Sequence, residues 1–89
     1  MSEILIRHAR LVDGTGGPAR DADVRVVGET IAEIGAAGTL EPAADAETID
    51  ASGLVLTPGF VDPHTHYDGQ VTWDPILAPS SWHGVTTVV

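Results

Sequence analysis

An 89-residue chain holds at most one small domain, and a complete (β/α)₈ barrel of about 250 residues is excluded. Hydrophobic residues make up 43% and aromatics 4%, so any core is built from Val, Ile, Leu and Ala. Thirteen acidic residues against four arginines give a net charge of −9, which argues against binding nucleic acid or anionic membranes, since both need positive charge.

The absence of cysteine excludes disulfides and thiolate metal ligands within the segment. At the N-terminus Glu3 stands where a secretory signal needs positive charge, and Arg7 and Arg10 interrupt the apolar run. A signal peptide is therefore not expected. No stretch reaches the ~20 apolar residues of a membrane span, and a cytoplasmic protein is the expectation.

Residues 4–12 are rich in aliphatic and β-branched types and predict a strand. Asp13-Gly14-Thr15-Gly16-Gly17-Pro18 is turn chemistry. Its glycines invite a phosphate-loop reading, but Pro18 follows and no helix N-terminus is evident to hold an anion. Strands are predicted at 23–27 and 30–34, joined by a hairpin turn at Gly28-Glu29. An Ala-rich connection at 36–45 has no clear period. Short strands follow at 47–51 and 54–57, the second ended by Pro58-Gly59.

Residues 60–64 predict a strand of another kind, apolar at its start and polar at its end, as in buried parallel sheets. Residues 67–79 read as a loop with Gly69, Pro75 and Pro79, Ser80-Ser81-Trp82-His83 as one helical turn, and 84–89 as a further strand. The fold class expected is mainly β. A boundary near Pro58 separates a small β module at 1–58 from a piece with β/α character at 59–89.

The most informative stretch is Pro58-Gly59-Phe60-Val61-Asp62-Pro63-His64-Thr65-His66. In a strand, residues i and i+2 share a face, so His64 and His66 are expected to aim two imidazoles at one point. A catalytic zinc takes three protein ligands and a water, and this pair supplies two of the three. Asp62 shares their parity. It is read as a structural carboxylate bonded to backbone near Pro63 in preference to a group orienting a ligand histidine. Tyr67 and Asp68 follow on the loop and are candidate substrate contacts. For Asp68, a place in the metal site's hydrogen-bond shell and ordinary loop polarity stand as equal readings. Trp73 and Trp82 are expected to anchor the loop by packing. His8 and His83 have no obvious partner and read as structural. Ser80 and Ser81 lack the strand-turn-helix setting of a nucleophile.

With these residues in view, the whole length resembles the N-terminal end of the amidohydrolase superfamily. Residues 26–35 resemble the hairpin of that family's small β-sandwich, and residues 58–66 its first barrel strand. More narrowly, His64-Thr65-His66-Tyr67-Asp68-Gly69-Gln70, Trp73-Asp74-Pro75 and residues 80–89 resemble the N-acyl-D-amino-acid deacylase branch, the D-aminoacylases. The resemblance implies a metal-bearing (β/α)₈ barrel with an appended β-sandwich, and His64 and His66 as metal ligands. It implies further ligands and a catalytic aspartate beyond Val89: a cysteine after the second strand, then two histidines. An arginine for the substrate carboxylate is likewise expected outside these residues.

The expected parent is a zinc-dependent hydrolase of N-acyl-D-amino acids, of which this chain is an inactive N-terminal piece because two histidines are too few ligands. The enzymatic alternative is a cyclic-amide hydrolase of the dihydropyrimidinase or hydantoinase kind. The rival from another class is a non-catalytic β module. In either case exposed sheet edges are expected to make the piece self-associate.

Overall fold

β1 (Glu3–Leu11) is the strand on which the first unit is built, and it pairs with three others. The computed structural model describes residues 2–89, which divide into two compact units, one ending at Pro58 and one spanning Gly59–Val89. In the first, β2 (Arg20–Val27) lies antiparallel to β1 and to β3 (Thr30–Ala36). β4 (Glu47–Asp50) and β5 (Val55–Leu56) run parallel to β1 at successive levels. The protein is mainly β, as the sequence predicts.

The turns follow the predicted chemistry. Gly28 has φ 60°, while Glu29 is not among the positive-φ residues; this is the pattern of a type II′ hairpin turn, which places glycine first. In the longer turn, the Asp13 carboxylate accepts from the Thr15 amide at 3.0 Å, the Thr15 hydroxyl at 2.6 Å and Arg20 at 2.8 Å. Those three donors hold its carboxyl well below the ordinary carboxylate range, the Thr15 hydroxyl first.

Two bulges decide which side chains share a face. Ile6 pairs with Val24 but Ala9 pairs with Ala22, so Arg7 and His8 together stand opposite Asp23. His8 takes φ 61° there, the left-handed conformation that a bulge tolerates and a regular strand does not. On β3, Glu33 pairs with Arg25 and Ile31 with Val26, leaving Ala32 unpaired. The bulges bring Ile6, Leu11, Val24, Val26, Ile31 and Ile34 to one face although their spacing in sequence breaks strict alternation. Leu11, Ala22 and Val24 form its buried centre, with Ile6, Val26 and Leu56 packed against them. Its margin is open: Ile31 is 64% exposed.

The opposite face is charged and covered. Leu5 and Asp23 are 0% exposed, and the connection between β3 and β4 crosses above them. Asp23 accepts backbone N–H bonds from His8 at 2.9 Å, Gly38 at 2.9 Å and Leu40 at 3.2 Å. Burial pushes this carboxyl up, but the three amides outweigh it and hold it below the ordinary value of 3.8. Arg25 bonds Glu3 at 2.6 Å, Glu33 at 3.2 Å and the Glu41 carbonyl at 2.8 Å, and Glu3 also accepts from the Ala43 amide. The Ala-rich connection is thus held by backbone groups bonding a charged sheet face, which is why it shows no hydrophobic period.

In the second unit, β6 (Phe60–Asp62) pairs in parallel with β7 (Val85–Val88). Between them lie two 3₁₀ turns, Gln70–Thr72 and Ser80–His83. Gly84, at φ 86°, ends the second turn and its carbonyl accepts the Phe60 amide at 2.9 Å. A Cβ on Gly59 would fall inside the Thr86 side chain, so the approach of the two strands requires glycine there. Trp73 and Trp82 are 72% and 73% exposed. The expectation that they anchor the loop by packing is therefore corrected. Polar contacts hold the loop instead: the Gln70 amide donates to Asp74 and to the Ala78 carbonyl at 2.7 Å each, and Asp74 accepts from the Ile76 and Ala78 amides.

Candidate metal centre

β6 ends at Asp62, two residues earlier than the sequence predicts, so His64 and His66 stand on bent, irregular backbone beyond it. Strand parity is not what brings them together. The turn begins at Asp62, whose Oδ1 accepts the His64 backbone N–H at 3.1 Å. This is the structural, backbone-bonded role read for that carboxylate, and it draws the chain over so that the two rings meet at an angle of 70°, centroids 5.0 Å apart. Proline between Asp62 and His64 suits such a turn, because it fixes its own φ and has no amide of its own to satisfy.

The Nε2 atoms of His64 and His66 lie 3.2 Å apart, both on exposed rings. Two nitrogens held at 2.0–2.1 Å from a tetrahedral zinc are separated by about 3.3–3.4 Å. The pair therefore fits a shared cation closely. The same spacing suits a single N–H···N bond between neutral rings, in which one proton occupies the place a cation would take. Among the described residues no cluster of three His, Cys, Asp or Glu side chains converges, so these residues supply two ligands and no more.

Tyr67 is half-buried and its hydroxyl lies 2.6 Å from the Ser80 hydroxyl, tying the residue after the histidines to the turn that precedes β7. Asp68 is exposed on the following turn. Together with Thr65 and Val88 they line an open groove of ≈ 280 Å³. His83 is exposed at the end of its 3₁₀ turn, and His8 occupies the bulge of β1. Sequence reasoning passed over Thr65, half-buried between the two histidines, whose hydroxyl donates to the Val89 carbonyl at 2.9 Å. Its one signal was residue type: a hydroxyl on a β-branched side chain, flanked by two candidate ligands.

Residues 47–89, which include the parallel strand pair and the histidine pair, match the family described as amidohydrolase. Along 99% of its length the chain is 44% identical, over 88 residues, to N-acyl-D-aspartate deacylase of Alcaligenes xylosoxydans xylosoxydans, of which it spans 17%. It also matches the crystal structure of a D-aminoacylase, with a TM-score of 0.81 and 37% identity over 96% of this chain and 17% of that one. A second matching D-aminoacylase structure, also with a TM-score of 0.81 and 37% identity, concerns the binuclear metal centre of D-aminoacylase, with one-metal activation and second-metal attenuation. A D-hydantoinase from Thermus sp. matches with a TM-score of 0.61 and 38% identity over 71% of this chain and 13% of that one. Over nearly its whole length the chain is thus similar to a stretch of these D-aminoacylases, spanning about a sixth of their length.

Proposed function

We propose that these residues serve a zinc-dependent amidohydrolase that cleaves the amide bond of N-acyl-D-amino acids, with His64 and His66 as two of the metal ligands. The observation that carries the reading is the 3.2 Å approach of their Nε2 atoms just past the end of β6. Its support is the 44% identity to an N-acyl-D-aspartate deacylase. When bound, zinc polarises a carbonyl oxygen and lowers the pKa of a bound water toward 7. The chain's own residues hold and orient: the imidazoles present Nε2, Asp62 fixes the backbone of His64, and Tyr67 and Asp68 face the substrate from the groove wall. In this reading residues 59–89 begin the catalytic barrel and residues 1–58 form part of a β-sandwich.

Two histidines fall short of the three protein ligands a catalytic zinc takes, so the 89 residues alone are proposed to be inactive. The test uses the complete protein. Purified with zinc, it is expected to release free amino acid from N-acetyl-D-aspartate or another N-acetyl-D-amino acid and not from the L-enantiomers, and His66→Ala is expected to lower its bound metal. Ring opening of hydantoins without any deacylation would sink this reading. It would favour cyclic-amide hydrolysis, to which the likeness to D-hydantoinase points. Undiminished metal content in His66→Ala would remove the histidine pair from the site.

A further inference from the structure

Among the described residues the two candidate rings have no side-chain partner to orient them except each other. Both rings are exposed, and both stand on irregular backbone past the end of a strand. Segments of that kind are mobile unless something ties them down. Here the ties are backbone and hydroxyl bonds, and they converge on one place. The Val89 amide donates to the Asp62 carbonyl at 3.0 Å. The Asp62 carboxylate accepts the His64 amide at 3.1 Å. The Thr65 hydroxyl donates back to the Val89 carbonyl at 2.9 Å. Val89 thus bonds Asp62 through its N–H and Thr65 through its backbone oxygen.

We infer that Thr65 is a positioning residue for the histidine pair: its hydroxyl bond to the Val89 carbonyl fixes the one residue that separates the two imidazoles. The inference rests on the reading of His64 and His66 as metal ligands. Thr65 lies between the two histidines, so its φ and ψ help set one ring against the other. Its β-branched side chain has few rotamers, so anchoring the hydroxyl also restrains the backbone that carries it. A restrained backbone has already lost the conformational freedom that gathering two ligands around one ion would otherwise cost. Partners outside the ligand set that orient ligands are worth about 10–100-fold in metal affinity.

The experiment compares Thr65→Val, which keeps the branched shape and removes the hydroxyl, with Thr65→Ser, which keeps the hydroxyl. His66→Ala tests the underlying reading, and circular dichroism checks that every variant is folded. Zinc affinity of the complete protein is measured by competition with a chromophoric chelator, and ligand geometry by the visible absorption of the cobalt(II) form. Thr65→Val is expected to bind zinc about 10–100-fold more weakly with an altered cobalt spectrum, and Thr65→Ser to restore both. If Thr65→Val matches the parent in affinity and spectrum while His66→Ala does not, the positioning role is overturned and the metal site stands. If Thr65→Ser is as impaired as Thr65→Val, the hydroxyl is not the cause and the inference also fails. If His66→Ala binds like the parent, the reading of the site fails and takes the inference with it.

Discussion

Asp23 is a buried carboxylate whose three hydrogen bonds all come from backbone amides, those of His8, Gly38 and Leu40. Asparagine at this position keeps the shape but offers one accepting oxygen and an NH₂ where two oxygens now serve three donors. Asp23→Asn is expected to cost about 1–3 kcal/mol, the penalty for leaving a buried amide unsatisfied, and Asp23→Ala more. The sign of the pH dependence follows from the lowered carboxyl pKa. The contribution is fully present above the ordinary value of 3.8 and is lost as pH falls through the lower folded value. Urea denaturation should therefore show the parent losing stability below about pH 4, and Asp23→Asn should flatten that acid limb. An acid limb unchanged in the variant would assign it to other carboxylates. At this scale the sequence was legible where residue type constrains chemistry. Two imidazoles two residues apart could be singled out from residue type alone, and their Nε2 atoms do lie 3.2 Å apart. The roles of Asp23 and Thr65 were not legible, because each depends on a partner distant in sequence.

The strands β1 to β7 were legible as elements, from β-branched runs cut by glycine, proline and aspartate. Their faces were less so. Ile31 and Ile34 sit three apart, a spacing that argues against a common strand face, and only the bulge at Ala32 reconciles them. The end of β6 was misplaced for a related reason: Asp62 caps the strand with its own side chain, a local bond that competes with the ladder. Exposure of Trp73 and Trp82 was invisible to a reading that assigns large aromatics to cores. Between β6 and β7 the tightest constraint is the approach of Gly59 to Thr86. Gly59→Ala is expected to destabilise the pairing by about 1–3 kcal/mol through overpacking, read as a fall in thermal midpoint. Thr86→Ala combined with it should recover much of the loss, as sites in contact do in a double-mutant cycle. Strictly additive losses would show that the two residues do not collide.

For the whole molecule the contrast between the sheet's two faces matters most. One is charged and closed over by its own connection. The other has a small buried centre and an open apolar margin that includes Ile31, Ile34 and Ile49. We propose that the 89-residue chain self-associates through that margin. The net charge of −9 opposes association at long range and is screened by salt. Light scattering should then show mass increasing from low to moderate salt, and Ile31→Lys should return the chain toward monomer. A monodisperse monomer at every salt concentration would overturn the proposal.

The bulge at His8 also governs how related chains line up. Without His8, Ile4, Ile6, Ala9 and Leu11 would still fall on one face in plain alternation, so the residue behaves as an insertion into a period-two strand. What His8 adds is an amide for the buried carboxylate opposite. When a relative is one residue shorter here, the gap belongs at this bulge. An alignment that places it a few positions away will trade apolar for charged positions between them and misjudge which substitutions the sheet tolerates. Strand length and the character of residue 23 should accordingly be read as one inherited trait.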